Sequence, residues 1–310
     1  MTYEGWIIIT GVLAGASCSI IGVLLVLRQT AMISDAISHT VILGLVSAFL
    51  LTGTLDSLTM LIGAAAAGLL TTIAIQLLKN SGVQPDAAIG VTFTAFFALG
   101  VFLISRYAGN VHLDVNHALM GNIAFVPFQT VTLFGVSIPQ AFLFVSIVLL
   151  LNVAMITLLY KEWKLSTFDP ALAVSLGIPA VFLHYLLMTM TSVTAVSSFD
   201  SVGAVLVVAF MIVPAAAAYL WTKKLSFMFL YSVVFSAASC FSGYYAAKWL
   251  NVSISGSMAV MTGVIFLISF LFAGENGVLT RIVRQKQHRD REWNRQPSSL
   301  LQAEKDSFKG

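Results

Sequence analysis

Charged side chains are scarce in this sequence. Only 9% of its 310 residues are Asp, Glu, Lys or Arg, whereas 58% are hydrophobic and the mean hydropathy is +0.94. Soluble domains carry about 25% charged residues. A composition so poor in charge excludes a soluble globular protein and predicts a polytopic membrane protein.

Cysteine is almost absent as well. The two cysteines, Cys18 and Cys240, are far apart, form no C-x-x-C pair and lie in apolar runs. This pattern excludes a disulfide framework and a zinc knuckle. We expect both residues to pack as small apolar side chains.

Motifs that supply energy or catalysis are missing too. No lysine is followed by serine or threonine, so the chain has no P-loop to hold nucleotide phosphates. Neither the H-E-x-x-H motif of zinc proteases nor a G-x-S-x-G serine elbow occurs. We therefore expect no enzyme activity in this chain, and any ATP must be hydrolysed by a separate subunit.

Long apolar runs make up most of what is present. About nine of them are long enough to cross a bilayer as helices, although eight or ten are also compatible because residues 180–222 are almost continuously apolar. The expected fold is an all-α, polytopic transmembrane helical bundle. The predicted spans are 6–27, 36–52, 57–78, 88–105, 138–160, 180–197, 200–222, 226–248 and 254–273.

Lysine and arginine predict how the chain is oriented, because they accumulate on the cytoplasmic side of short loops. If the N-terminus is outside, 14 of these 16 residues are cytoplasmic, and only Arg106 and Lys248 are external. An odd number of spans then leaves the C-terminus in the cytoplasm. We expect residues 1–273 to form the transmembrane domain and residues 274–310 to form a polar, basic cytoplasmic tail near anionic lipid.

Asp35 and His39 are the first candidate site. They are four residues apart, so on a helix they face the same side and could close on one ion. Carboxylate oxygen and imidazole nitrogen suit divalent manganese, iron or zinc better than copper. Two ligands hold an ion weakly, which suits a conduit, and a symmetric partner could supply a second pair. A polar cluster that merely positions a helix fits the spacing equally well.

The membrane depth of this pair is left open by the sequence. Arg28 places the cytoplasmic boundary nearby. Asp35 and His39 therefore lie either in the inner third of the membrane or on a broken helix.

A second group of ligand-type residues lies on a segment predicted to be external. His112 and Asp114 alternate as on an extended strand, and His117 could complete a metal site. This group could receive an ion from a delivery protein. An ordinary polar surface loop is the competing explanation.

A short helix is predicted between the fifth and sixth spans. Asp169 can cap it, Pro170 suits its first turn, Gly177 can end it and Pro179 prevents its continuation. Such a helix is too short to cross a bilayer. On the cytoplasmic face it could dock a motor subunit, or it could be a simple interfacial helix.

Five motifs follow one another along the chain. They are Leu27-Arg28 with Ile33-Ser34-Asp35-Ala36-Ile37-Ser38-His39; Asp86-Ala87-Ala88-Ile89-Gly90; Phe168-Asp169-Pro170 leading to Leu176-Gly177-Ile178-Pro179; Val202-Gly203 through Ile212-Val213-Pro214-Ala215-Ala216; and Ser255-Gly256-Ser257. Together they resemble the integral-membrane permease of ATP-binding-cassette importers for manganese, zinc and iron. The sequence departs from the family pattern at Ser34, where glycine is usual, and at Ser257, where alanine is favoured.

The resemblance implies a set of partners and a location. It implies two permease subunits, identical or different, in a bacterial cell membrane, two cytoplasmic ATP-binding-cassette ATPase subunits and an external metal-binding lipoprotein. No nucleic-acid partner is expected. No resident cofactor is expected either, because the metal is the cargo.

The resemblance also implies roles for particular residues. Asp35 and His39 become ligands on the metal path, and His112 to Gly121 resembles manganese-importing members more than zinc-importing ones. The expected cargo is Mn²⁺, with Zn²⁺ or Fe²⁺ import, or a gradient-driven transporter or channel, as alternatives. The residues expected to couple the permease to the ATPase are Phe168, Asp169, Pro170, Leu176, Gly177 and Pro179.

Overall fold

The computed structural model describes residues 3–53, 57–107, 123–128, 130–133 and 136–273. Within these ranges, nine helices are long and apolar enough to cross a membrane. The α-helices are α1 (Tyr3–Leu27), α2 (Ala31–Thr52), α3 (Ser57–Asn80), α4 (Pro85–Tyr107), α5 (Gln140–Leu158), α6 (Tyr160–Phe168), α7 (Pro170–Ser175), α8 (Ala180–Val202), α9 (Ala204–Trp221), α10 (Leu225–Leu250) and α11 (Ile254–Phe272). All except α6 and α7 are candidate spans, and the predicted helical bundle is confirmed.

A small non-α region lies between α4 and α5. It contains a 3-10 helix (Ile123–Phe128) and two antiparallel strands, β1 (Thr130–Leu133) and β2 (Val136–Pro139). The pairing joins Thr130 to Pro139 and Leu133 to Val136. Hydropathy predicted that the fifth span includes residues 138 and 139, whereas α5 begins at Gln140 because β2 occupies the preceding residues.

The apolar stretch 180–222 is divided at Gly203. This residue has φ 86° and ψ 154°, a positive-φ backbone conformation that only glycine adopts readily. Its N–H still donates the last hydrogen bond of α8, to the carbonyl of Phe199 at 3.0 Å. The break separates α8 from α9 a few residues beyond the boundary predicted from hydropathy.

The second span starts earlier than predicted. Hydropathy placed its start at residue 36, whereas α2 begins at Ala31. The polar residues Ser34 and Asp35 therefore lie inside the helix rather than before it. Hydropathy locates apolar length, and a helix can include polar residues in its first turns.

Small residues allow two helices to approach closely. A Cβ added to Gly44 of α2 would lie 2.5 Å from the carbonyl oxygen of Gly63 on α3, and one added to Gly63 would lie 2.7 Å from the carbonyl oxygen of Gly44. The backbones of α2 and α3 are thus in direct contact, as small residues at membrane helix interfaces permit. The helix that carries the candidate metal pair is therefore held firmly against α3.

Side-chain contacts show which helix ends share a side of the bundle. At one side, Lys248 near the end of α10 pairs with Glu4 at the start of α1, with an Nζ–Oε1 distance of 2.6 Å. At the other side, Arg28 after α1 reaches Ser166 of α6, and the Tyr160 and Ser226 hydroxyls are 2.7 Å apart. Glu4 and Lys248 therefore lie at one end of the bundle, and Arg28, Ser166 and Ser226 lie at the other. Which end is cytoplasmic stays a prediction.

Candidate functional site

Asp35 and His39 lie on consecutive turns of α2, and their side chains meet. The imidazole Nε2 is 3.7 Å from the Oδ1 of Asp35, too far for a hydrogen bond between them. The two side chains keep 41% and 39% of their surface exposed, whereas most of the surrounding helix is buried. The predicted i, i+4 geometry therefore produces a paired carboxylate and imidazole with accessible donor atoms.

The spacing of the two donor atoms is compatible with one shared ion. In a tetrahedral site with bonds of about 2.1 Å, two ligand atoms lie roughly 3.4 Å apart. The observed 3.7 Å differs from this by only a few tenths of an ångström. Among the described residues, no group of three or more His, Cys, Asp or Glu side chains could hold a metal. The pair thus offers two ligands and leaves further coordination positions to another source.

The depth of the pair follows from the continuity of α2. The helix is unbroken from Ala31 to Thr52, so the broken-helix alternative does not apply. His39 is eight residues beyond the first helical residue, which is about 12 Å along the axis at 1.5 Å per residue. Asp35 therefore lies in the third of α2 nearest Arg28, and His39 lies just beyond that third.

Two aromatic rings of α4 pack against the imidazole. The ring centroid of Phe93 is 5.5 Å from that of His39 with a tilt of 32°, and Phe97 meets His39 edge-on at 6.0 Å. These contacts restrict the orientation of the imidazole. These two residues were not predicted from the sequence, where their signal is a pair of aromatic residues one turn apart on an apolar span, a pattern common in membrane helices.

The hydroxyl groups next to the pair are already satisfied within α2. Ser34 donates to the carbonyl of Ala31 at 2.6 Å, and Ser38 donates to that of Ser34 at 2.9 Å. Thr40 donates to the carbonyl of Ile37 at 3.0 Å. Because these bonds turn the hydroxyls onto the backbone of their own helix, they leave Asp35 and His39 as the ligand-type groups of this segment.

The second candidate group lies outside the described residues. His112, Asp114 and His117 fall between α4 and the 3-10 helix, in residues 108–122. Their proposed role in metal entry stays a prediction.

The predicted short helix between the fifth and sixth spans is present as α7. Asp169 caps it by accepting a hydrogen bond from the N–H of Leu172 at 2.9 Å, and Pro170 is its first residue. Gly177 follows with φ 78°, which permits the N–H of Ile178 to donate back to the carbonyl of Ala173 at 2.9 Å. Pro179 then precedes α8.

Apolar side chains of this segment project away from the bundle. Between 45% and 64% of the surface of each of four residues is exposed: Phe168 at the end of α6, Leu172, Val174 and Leu176. The segment 168–179 is therefore an exposed, capped knob between two spans. This shape suits a docking element more than a buried connection.

Comparison with known proteins gives consistent matches. A model of the ABC 3 transport family matches residues 3–273. The manganese transport system membrane protein MntD of Bacillus subtilis (strain 168) is 58% identical over 92% of this chain and 97% of its own length. The zinc transport system membrane protein TroD of Treponema pallidum (strain Nichols) is 43% identical over 91% of this chain and 76% of its own length.

A solved structure matches as well. One chain of the structure described as PsaBC from Streptococcus pneumoniae in complex with Fab superposes with a TM-score of 0.76 at 31% identity. The superposition covers 92% of this chain and 96% of that one. The similarity therefore extends over the helical bundle as a whole.

Proposed function

This chain belongs to the ABC 3 transport family, and we propose that it is the membrane permease subunit of an ATP-driven importer for divalent transition-metal ions, with manganese as its main cargo. The resemblance predicted from five motifs is confirmed by the family match over residues 3–273. A member of this family is a component of a transporter rather than an enzyme. Membership also favours ATP-driven import over a gradient-driven transporter or channel.

The observation that carries the choice of manganese is the similarity to relatives. The relative with 58% identity is named for manganese transport, and one with 36% identity, from Halalkalibacterium halodurans, is also named for manganese transport. The relative named for zinc transport is 43% identical, so zinc is the second candidate. The Asp35–His39 donor set accepts either ion, because carboxylate and imidazole suit both.

Asp35 and His39 are proposed as ligands on the path of the ion. Their donor atoms are spaced for a shared ion, and the aromatic rings of Phe93 and Phe97 hold the imidazole in place. A weak two-ligand site permits release as well as capture. The ion is therefore expected to stop at this pair during transport and then continue.

A second permease subunit is proposed to cover this face of α2. Ionisable side chains within a membrane span are costly unless they face protein or water. About two-fifths of each side chain of the pair is exposed in the single chain. A partner subunit that presents its own pair would remove both groups from lipid and complete the coordination of the ion.

The remaining partners follow from membership in a family of ATP-driven importers. We assign ATP hydrolysis to cytoplasmic ATPase subunits and metal delivery to an external lipoprotein. The exposed knob at 168–179 is the proposed ATPase contact, with Phe168 and Leu176 among its exposed apolar residues. The N-terminus is proposed to be external and the C-terminus cytoplasmic, which places Arg28 and α7 on the cytoplasmic side.

The metal path is tested by transport in proteoliposomes that contain the permease, its ATPase subunits and the lipoprotein. Asp35→Asn and His39→Gln keep side-chain size and polarity but remove the charge or the imidazole ligand. Manganese uptake is expected to fall at least tenfold in each. His184→Gln on α8 is the matched histidine control and should transport normally. Undiminished uptake in assembled Asp35→Asn and His39→Gln transporters would refute the site.

The identity of the ion is tested by competition. Uptake of radioactive Mn²⁺ is measured in the presence of excess Zn²⁺ or Fe²⁺, and accumulation of each metal is then measured directly. We expect Mn²⁺ to accumulate to the highest level. Preferential accumulation of Zn²⁺ would favour the second candidate, and uptake by the permease alone without ATPase subunits would contradict ATP-driven import.

A further inference from the structure

Arg28 connects two parts of the chain that are 138 and 139 residues apart. Its guanidinium donates from one terminal nitrogen to the Ser166 hydroxyl at 2.6 Å and from Nε to the Thr167 hydroxyl at 3.1 Å. Its Cζ also lies 5.1 Å from the centre of the Trp163 ring. A single side chain thus makes three contacts with α6.

The three contacted residues form one face of α6. Trp163, Ser166 and Thr167 are spaced i, i+3 and i+4, so they lie side by side on the helix. A guanidinium is planar and offers several donors in fixed directions, so it can bind two hydroxyls and stack on a ring together. Lysine could keep the charge and one hydrogen bond but not this complete arrangement.

The contacted face of α6 is fixed in the bundle. Trp163 is fully buried and belongs to a hydrophobic core that includes Ile33 and Ile37 of α2. The guanidinium is partly buried, and this burial lowers the pKa of Arg28 below its ordinary value. Arginine nevertheless stays protonated at neutral pH. The protonated Arg28 guanidinium therefore contacts α6 in a partly desolvated environment.

On the other side of Arg28, a tight turn leads directly into α2. The N–H of Arg28 donates to the carbonyl of Leu24, and the N–H of Thr30 donates to that of Leu25 at 2.9 Å. Gln29 between them adopts φ 57°, an uncommon conformation for a residue other than glycine. The turn has little freedom, so a displacement of Arg28 must also displace the start of α2.

The α6 residues that Arg28 contacts lie next to the exposed knob at 168–179. Thr167 is two residues before Asp169, whose carboxylate caps α7. The N–H of Asp169 also donates to the carbonyl of Leu165 at 2.9 Å, so α6 and α7 are joined without a flexible linker. Arg28 therefore stands between the exposed knob and the helix that carries Asp35, seven residues further along the chain.

We propose that Arg28 is a positioning residue that transmits movement of the α6–α7 segment to the start of α2, and through it to Asp35 and His39. The proposal rests on the proposed function, because it requires an ATPase that moves the knob and an ion that stops at the pair. ATP-driven movement of α7 reaches α2 through the guanidinium contacts. Loss of these contacts should leave ATP hydrolysis intact but reduce the number of ions moved for each ATP hydrolysed.

The test uses the complete transporter in proteoliposomes and measures manganese uptake and ATP hydrolysis in parallel. In Arg28→Gln, the number of ions moved per ATP hydrolysed should fall at least fivefold. Arg28→Lys should give an intermediate ratio. The variant Ser166→Ala/Thr167→Val removes the two acceptors from α6 and should reproduce the Arg28→Gln ratio.

A variant that combines Arg28→Gln with Ser166→Ala and Thr167→Val should move as many ions per ATP as Arg28→Gln alone, because all three changes act on one interaction. Tyr160→Phe is the matched control. It removes a hydrogen bond between the same helix and Ser226 of α10, without touching Arg28. Its ratio should equal that of the unmodified transporter.

The outcomes separate the possible roles of Arg28. A purely structural role would reduce uptake and ATP hydrolysis together and leave their ratio unchanged, which would overturn the proposal. If Arg28→Gln fails to assemble, the small changes at Ser166 and Thr167 decide, and an unchanged ratio in that variant would also overturn it. An unmodified transporter that moves no manganese would instead contradict the proposed function.

Discussion

The Thr71 hydroxyl on α3 shares its proton between the carbonyl of Ala67 in its own helix, at 2.7 Å, and the Thr40 hydroxyl on α2, at 2.9 Å. Both side chains are fully buried, and Thr40 directly follows His39. The bond therefore ties α3 to the turn of α2 that carries the candidate ligand. It acts together with the Gly44–Gly63 contact, which lies one turn further along α2, to fix the position of that helix.

Thr71→Val should weaken this interface. Valine has the shape of threonine but no hydroxyl, so the variant loses the bond to Ala67 within α3 and the interhelical bond to Thr40. The interhelical bond is worth about 0.6–1 kcal/mol. Unfolding in detergent should show destabilisation of this size. Thr72→Val is the control, because the Thr72 hydroxyl donates to the carbonyl of Gly68 within α3. Equal destabilisation in both variants would show that the interhelical bond contributes nothing of its own.

Gly44→Ala should destabilise the bundle by more. The added Cβ would lie 2.5 Å from the Gly63 carbonyl oxygen and 2.7 Å from the Cα of Ala64, so the backbones of α2 and α3 must separate. Overpacking of this kind costs about 1–3 kcal/mol. Denaturant unfolding of the purified permease measures it.

Gly90→Ala on α4 is the matched control for this change. A Cβ at Gly90 meets nothing within 4 Å. Since alanine favours a helix over glycine by up to about 1 kcal/mol, this variant should be neutral or slightly more stable. Greater stability of Gly44→Ala than of the unmodified chain would contradict the close contact.

The sequence was sufficient to predict local features of the fold. Apolar length predicts the spans, and the ends of α7 follow from the short-range chemistry of Asp169, Pro170 and Gly177. The approach of Asp35 to His39 also follows from helical periodicity alone. Each of these features depends on residues within a few positions of one another.

Contacts between distant parts of the chain were not predictable in this way. The acceptors of Arg28 are 138 and 139 residues away, and the rings that face His39 come from another helix. Nothing in the periodicity of one helix states which neighbour it will pack against or at what height. The sequence therefore identified the candidate pair but not the residues that contact it.

Asp169→Ala should weaken the docking knob. The Asp169 carboxylate accepts the N–H of Leu172, and loss of such a cap costs about 1 kcal/mol of helix stability. Fraying of α7 should reduce the amount of ATPase subunit recovered with the permease in a pull-down. Asp169→Asn keeps a capping oxygen and should recover close to the normal amount. Full recovery with Asp169→Ala would argue that the cap is not needed for docking.

Phe97→Ala should weaken the interaction of the pair with its ion. The edge of the Phe97 ring meets the imidazole of His39, and removing it lets the imidazole adopt other orientations. Aromatic contacts of this kind contribute about 0.5–1.5 kcal/mol, which corresponds to about a 2- to 10-fold change in affinity. The manganese concentration at half-maximal uptake should rise by that factor in proteoliposomes, while the maximal rate changes less.

Phe102→Leu on the same helix separates this effect from a general loss of aromatic packing on α4. The Phe102 side chain is 61% exposed, and leucine preserves most of its apolar contact with lipid. Its half-saturating manganese concentration should therefore match that of the unmodified transporter. If Phe97→Ala also leaves that concentration unchanged, then the imidazole does not need the ring to bind, and the orientation of His39 must be set by Asp35 and α2 alone.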